Sequence, residues 1–309
     1  MKYLPFLDGK YSVAPGLLPI RRVQHERDKF IFQIDEEYDE YLHNKLLCRE
    51  ENIRKYFCEE KLYGRTCRVI NQYILKQLLE EYPGRFFFNK NGSLFNLVNM
   101  KTGEQIFWDE DFISVSGKRY ISLFDALSCQ VQEDFAVCQL HEDKDWMAAI
   151  HLCAPNHWAA EDKIGRSFDI VHAPVAGMEK TMPHYFKMLQ TIVHRGAFTR
   201  FAWGIATDKR LNHHPKPPEG ADPVLWCGRS LDETTNELYV RVERQNLIGF
   251  IDVNAFLFTI RTYFYSIYEL SVEEKAALMA AVESMPDASL LYKGLYGKKE
   301  ILRKLLQQD

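Results

Sequence analysis

The run Tyr239–Tyr263, YVRVERQNLIGFIDVNAFLFTIRTY, constrains the fold of this chain more than any other stretch, because two strand-like segments carry charge where a buried strand is apolar. With the period-2 alternation of a β-strand, Leu238, Val240 and Val242 share one face, while Arg241 and Glu243 share the other. The second segment repeats the arrangement, with Phe256, Phe258 and Ile260 on one face and Thr259 and Arg261 on the opposite one. Antiparallel pairing is expected to gather Arg241, Glu243 and Arg261 on one surface. If that surface walls a cavity, its guanidiniums need anionic partners, since burying unpaired charge is very costly, and a bound acidic ligand would serve. If it faces water, it is a salt-bridged sheet face of the kind common in antiparallel sheets.

At 309 residues with 46% hydrophobic and 13% aromatic content, the chain can bury a substantial core. Its net charge of −4 and the lack of a long Lys/Arg run give no electrostatic case for nucleic acid or a membrane surface, and leave a small molecule as the expected partner. The opening MKYLPFLDGKYSVAPG lacks a signal-peptide core, and no segment reaches the roughly 18 apolar residues of a membrane span, so a cytoplasmic location is expected. The seven cysteines, Cys48, Cys58, Cys67, Cys129, Cys138, Cys153 and Cys227, are scattered and include no C-x-x-C pair. That pattern suits reduced thiols rather than a disulfide framework, and no iron–sulfur cluster is expected in this chain.

Pro5, Pro15 and Pro19 punctuate residues 1–34, which are expected to run irregularly over the surface. A helical flank follows over residues 35–82, with Tyr38, Tyr41, Leu42, Leu46 and Ile53 at helical spacing in its first helix. Its second helix, Cys67–Tyr82, is stopped by Pro83-Gly84. The segments Phe86–Phe88, Leu94–Val98 and Ile106–Trp108, punctuated by Asn91-Gly92 and Lys101-Thr102-Gly103, read as a meander of short strands. A helix at Leu123–Cys129, strands at Phe135–Leu140 and Trp146–Cys153, a helix at Met182–Val193 and a strand at Phe201–Ala206 lead to the charged hairpin. Ser271 and Glu274 have capping-box spacing before a helix from Val272, and C-terminal helices are expected over residues 272–308. The whole reads as one α+β domain, residues 1–309, with a largely antiparallel sheet flanked by helices. The proline-rich stretch 211–223 is expected to be an exposed loop.

Further chemistry-bearing residues cluster in CAPNHWAAEDKIGRSFDIVHAPV, residues 153–175. His172 stands in an apolar run before Ala173-Pro174, where proline favours an extended or turning backbone, and its imidazole suits either a structural role or iron ligation. Lys163 and Arg166 form a basic turn that suits a carboxylate, a phosphate or plain solvent. His194 and Arg195 end a helix, where cations meet the negative terminus. The adjacent pair His213 and His214 lacks a third ligand at suitable spacing. No G-x-S-x-G elbow or phosphate-binding glycine loop occurs, which argues against hydrolase and nucleotide-binding functions.

Several motifs together resemble the haem-binding alpha-subunit-like proteins of the haem-dependent oxidative N-demethylases. They are Gly16-Leu17, FQIDEEYDEYLHNK from Phe32, VQEDF at 131–135, KIGRSFDIVHAPV at 163–175, RFAW at 200–203, RVERQNL at 241–247 and FTIRTY at 258–263, and the similarity covers most of the chain. The resemblance implies a PAS-like antiparallel sheet enclosing haem b, on which oxygen is activated to remove a methyl group from a small secondary amine as formaldehyde. It makes Arg241, Arg244 and Arg261 propionate partners, since arginine pairs with carboxylates in bidentate geometry, with Lys163 and Arg166 as weaker ones and Trp203 as a further cofactor contact. It also makes His172 the axial iron ligand, with His194 the runner-up, and leaves Glu243 either to hold the amine or to neutralise an arginine. The family pattern that the chain resembles usually has Asn where this chain has Ala202, and the loop 246–255 also departs from that pattern. The implied partners are the amine, O2 and a separate reductase carrying flavin and iron–sulfur centres, with no flavin in this chain. A non-catalytic PAS-like haem sensor or carrier is the alternative, and a cofactor-free interaction protein a third reading.

Overall fold

In a computed structural model, which describes residues 2–307, the period-2 segments pair into sheets and the 3.6-period segments pack around them. The first half of the chain forms β1 (Leu18–Pro19), α1 (Tyr38–Tyr56), β2 (Phe57–Glu59), α2 (Gly64–Glu81), β3 (Phe86–Asn91), β4 (Leu94–Asn99), β5 (Glu104–Trp108), α3 (Leu123–Ser128), β6 (Asp134–His141) and β7 (Lys144–His151). The second half adds α4 (Ala160–Lys163), α5 (Phe168–His172), α6 (Tyr185–Arg195), β8 (Phe198–Ala206), α7 (Pro223–Cys227), β9 (Tyr239–Phe250), β10 (Ala255–Ser266), α8 (Val272–Glu283), α9 (Asp287–Tyr292) and α10 (Lys299–Leu306).

A seven-stranded antiparallel sheet in the order β1-β8-β9-β10-β6-β7-β2 carries the charged hairpin β9–β10 near its centre, while β3, β4 and β5 make a separate three-stranded sheet. The hairpin turns through Ile251–Val253 and Asn254, whose φ of 47° lies in the left-handed region that asparagine tolerates. Its register runs unbroken from Ala255↔Phe250 to Ser266↔Tyr239.

Each face of the large sheet meets its own cover. On one face, Ile248 and Leu257 pack with Ile70, Ile74, Leu78, Phe124 and Trp108, from α2, α3 and the small sheet. Farther along that face, Val240, Val242 and Tyr263 meet Leu278, Val282 and Leu302 of α8 and α10. Each such buried side chain contributes on the order of 2 kcal/mol by transfer from water. The opposite face receives Leu189, Ile192 and Val193 of α6. Gly249 permits that approach, because a Cβ there would overlap the backbone of Ile192 and Val193.

The capping box at Ser271 and Glu274 forms as expected, and α8 ends ahead of Pro286. The expected C-terminal region divides into α8, α9 and α10, and residue 308 lies outside the described residues. Three local expectations are corrected. Ile31, Phe32 and Gln33 are buried, because the sheet's arginines draw this segment inward through its carbonyls. Leu211, Asn212, His213 and His214 are buried too, held by an isolated bridge between His213 and Asn156. His172 closes the short helix α5, and Ala173 stays in the helical region although it precedes a proline. Among the described residues, no helix is long and apolar enough to cross a membrane.

Candidate functional site

Directly opposed residues of antiparallel strands share a face, so the register assigns every charge of the hairpin. Arg261 opposes Arg244, whereas Arg241 opposes Phe264 and Glu243 opposes Thr262. The expected gathering of Arg241, Glu243 and Arg261 on one surface is therefore corrected: Arg244 and Arg261 occupy the first face, and Arg241 and Glu243 the second. Strand β8 follows the same division, with Trp203 opposite Val242 on the first face and Arg200, Ala202 and Gly204 on the second.

On the first face the arginines are consumed by the protein. Arg261 is fully buried, holds both carboxylate oxygens of Asp35 at 3.1 and 2.9 Å, donates to Thr262 O at 2.6 Å, and lies 3.9 Å from the Tyr41 ring centroid. Arg244 donates through Nη2 to Asp28 O and Phe30 O at 2.7 and 2.8 Å. Trp203 is buried here against Phe6 and Tyr11, turned away from Glu243.

The second face is different. Arg241 is anchored through Nη1 to Leu211 O and His213 Nδ1 at 3.2 and 2.9 Å, and through Nη2 to Ala154 O at 2.7 Å. Its Nε has no hydrogen-bond partner, and Glu243 Oε1 stands 3.9 Å from it. His213 Nε2 meets Asp208 at 2.8 Å, so Nε2 carries the proton and Nδ1 accepts from Arg241. His157 stacks on His213, ring centroids 5.4 Å apart, and its pKa falls to about 2 through burial and then the Arg229 and Arg241 charges.

Cations outnumber carboxylates in this neighbourhood. Burial lowers the pKa of Arg200 and Arg241, with Glu243 opposing in each case. Arg229 is lowered to about 10 by burial, with Arg241 adding to the effect. Lys293, whose Nζ donates to Trp203 O at 2.5 Å beside the Trp203 and Tyr11 rings, is lowered to about 8 by burial and then Arg229, again opposed by Glu243. Arg200 has a buried Nε with no partner, and among the described residues its guanidinium makes no hydrogen bond or ion pair. Beside these groups, Gly204 is buried, yet a Cβ there would meet nothing within 4 Å, which marks open space inside the face.

His172 stands within range of the Arg200 charge. Its pKa is lowered to about 4, chiefly by burial, with Lys163 and Arg200 adding to the effect against the opposing Phe168 carbonyl. Nδ1 lies 2.9 Å from Phe168 O, an acceptor only, so Nδ1 carries the proton and Nε2 presents its lone pair. Phe168 stacks on the imidazole at 3.9 Å and on Tyr185 at 5.6 Å, which fixes the ring.

The remaining candidates lie apart or are occupied. Lys163 donates to Val171 O at 2.6 Å and lies over Trp158, Arg166 is exposed, and His194 is exposed in the last turn of α6. A cleft of about 620 Å³ lined by Arg21, Arg22, Lys29 and Arg195 opens at the β1–β8 edge and contains none of the candidate side chains. Arg200, Arg229, Lys293, His157 and His213 are the groups that the sequence reading did not assign to this site. For Arg200 a signal existed: it stands one residue before the strand-like run Phe201–Ala206, in alternation with Ala202 and Gly204.

The fold and the second face define a protein of mixed helix and sheet that holds an excess of buried cations beside a neutral, ligand-competent imidazole. Residues 22–302, nearly the whole chain, match the family model described as "Haem-dependent oxidative N-demethylase, alpha subunit-like", and the chain belongs to that family. The residues suit the group that the name implies. The unpartnered donors of Arg200 and Arg241 match propionate carboxylates, the open space at Gly204 lies beside them, and His172 Nε2 is a suitable iron ligand.

Proposed function

We propose that this chain is the haem-carrying subunit of an oxidative N-demethylase, a PAS-like scaffold acting on a small secondary amine. The observation that carries this reading is Arg200, half-buried on the same sheet face as Arg241, whose buried Nε has no partner and whose guanidinium makes no hydrogen bond or ion pair among the described residues. Withdrawing such a charge from water without a partner is costly, so a site that keeps it is suited to an anion.

In this reading His172 holds the iron through Nε2, while the Phe168 carbonyl fixes the tautomer and the stacked Phe168 ring fixes the plane. Arg200 and Arg241, with Arg229 and Lys293 adding positive charge, receive the propionates. Arg244 and Arg261 instead anchor residues 28–35. When bound, haem b supplies the iron on which O2 is activated, with electrons from a separate flavin and iron–sulfur reductase. Glu243, held by Gln245 Nε2 at 2.9 Å, receives the amine N–H, and the cations around it favour the uncharged form of the amine.

Titration with hemin, followed by dithionite and carbon monoxide, tests the reading. A stoichiometric Soret band that shifts with carbon monoxide and is displaced in His172→Ala is expected, together with amine-dependent formaldehyde release when an electron donor is supplied. Absence of haem binding overturns it. Ala202 favours a second reading, a haem sensor or carrier without turnover, because it places a methyl group opposite Glu243 where an amide would offer hydrogen bonds. Haem binding without formaldehyde release under any amine tested would support that alternative.

A further inference from the structure

A second chemistry-bearing cluster lies outside the site described above. His151, the last residue of β7, is fully buried, and its Nε2 lies 3.3 Å from Asp125 Oδ1 and 3.5 Å from Cys129 Sγ. Its Nδ1 makes no hydrogen bond of sound geometry among the described residues, although the Cys153 thiol lies close to the imidazole. An unsatisfied polar atom in a dry interior costs about 1–3 kcal/mol, and in a native fold it asks for a cause such as an ion.

Two buried triads share this imidazole, Asp125–Cys129–His151 and Asp134–His151–Cys153, and the ligand atoms within each lie within 4.8 Å of one another. The first is a poor cation site, because Asp125 already pairs with Arg49 at 2.5 Å. The second is better suited. Each Asp134 oxygen accepts one main-chain N–H, from Cys153 at 2.9 Å and from Ala154 at 2.6 Å, and keeps a further lone pair. Lys45 Nζ stands 3.9 Å from Asp134 and is engaged by the carbonyls of Ser128 and Glu133. Cys48, on α1, places its thiol 3.6 Å from the Cys153 carbonyl.

We propose that Asp134, Cys153 and the Nδ1 atom of His151 hold a structural zinc ion, with Cys48 as the nearest source of a fourth ligand. Carboxylate, imidazole and thiolate are the donors that zinc takes in tetrahedral sites. Binding converts the Cys153 thiol to a thiolate and releases its proton to solvent, with no change of oxidation state. With Cys48 as ligand, the ion would tie α1 to the open end of the β6–β7 hairpin, where Asp134 begins β6 and His151 ends β7. Full burial means that the ion is captured during folding rather than added to the finished protein.

The test is metal analysis of protein produced in zinc-supplemented medium and washed with chelator, with haem iron quantified separately. Stoichiometric zinc is expected in the parent chain and in Cys129→Ser, and Cys153→Ser should retain about a tenth or less, since losing a ligand should cost at least the roughly 10-fold that outer-shell changes cost. Zinc that persists in Cys153→Ser is adventitious, at exposed Cys227 or surface histidines, and overturns the proposal. Zinc lost from folded Cys129→Ser assigns the ion to the other triad and also overturns it. Should a variant fail to fold, the parent chain refolded with Co2+ decides: a thiolate-to-cobalt charge-transfer band supports the site, and its absence removes it.

Discussion

Replacing Arg261 with alanine separates the two kinds of arginine in this sheet. The side chain is fully buried and lies on the face opposite Glu243. Its removal would leave Asp35 with Arg27 at 3.7 Å as its remaining ion-pair partner, the side chain of Arg27 being about half exposed. Breaking a buried pair from one side costs about 3–5 kcal/mol, and losing the cation over Tyr41 adds about 1 kcal/mol, so a loss of about 4–6 kcal/mol is expected. That is a large part of the ~5–15 kcal/mol that holds a typical domain folded. Urea unfolding should show a lower midpoint at nearly constant slope. Haem affinity, measured on the protein that remains folded, should change by less than about threefold, roughly 0.6 kcal/mol. The double variant with Asp35→Asn should reveal a coupling of about 2 kcal/mol or more. A variant that stays within about 1 kcal/mol of the parent in stability while losing haem would refute the assignment of Arg261 to the scaffold.

Arg200→Met should behave in the opposite way, with parent-like or slightly higher stability because no hydrogen bond is lost, and haem affinity reduced about 10–100-fold, the worth of a charge-assisted contact; unaltered haem affinity would count against its propionate role. His172 should make stability pH-dependent. Its folded pKa of about 4 lies below the ordinary 6.5, so the unfolded chain binds more protons between those values. The contribution is therefore complete above about pH 6.5 and is lost as pH falls towards 4, by at most about 3 kcal/mol. Urea midpoints of the haem-free protein at pH 4.5 and 7 should converge in His172→Gln, and an unchanged difference would contradict the assignment. Gly249→Ala should push α6 off the sheet and cost about 1–3 kcal/mol of overpacking, while Gly204→Ala, facing open space, should leave stability within about 0.5 kcal/mol in the haem-free state; equal effects at the two glycines would show that the second face is packed alike along its length.

The hairpin was legible because alternation within a strand is a local property. The relation between its two strands was not, since it depends on register, and a shift of one residue exchanges the faces. Arg241 and Arg261 each read correctly as charges on the polar side of their own strand, yet the pairing Arg261↔Arg244 sends them to opposite sides of the sheet. His213 was misjudged because prolines around it suggest exposure, whereas its burial depends on partners remote in sequence, Asp208 through one ring nitrogen and Arg241 through the other. Lys293 and Arg229 reach the site from the segments around α7 and α9, and nothing local to either residue distinguishes it from an ordinary surface cation. Capping at Ser271, by contrast, is decided within four residues and was legible in full.

Burial alone does not tell a structural arginine from one that awaits a ligand; the fate of its donors does. Arg261 gives its terminal donors to Thr262 O and Asp35. Arg244 commits both Nη atoms to carbonyls of residues 28–31 and leaves Nε unmet. Arg241 is intermediate, with both Nη atoms engaged and Nε facing a carboxylate beyond hydrogen-bond reach. Arg200 makes no such bond at all, and it is the one whose charge reaches His172. The contrast lies in the terminal donors: those of Arg244 and Arg261 are taken by residues 28–35 and Thr262 on the first face, and those of Arg241 by Leu211, His213 and Ala154, while Arg200 on the second face engages none among the described residues. A scaffold without a ligand gains nothing from that gradient, since methionine at position 200 would fill the same volume without a charge to desolvate.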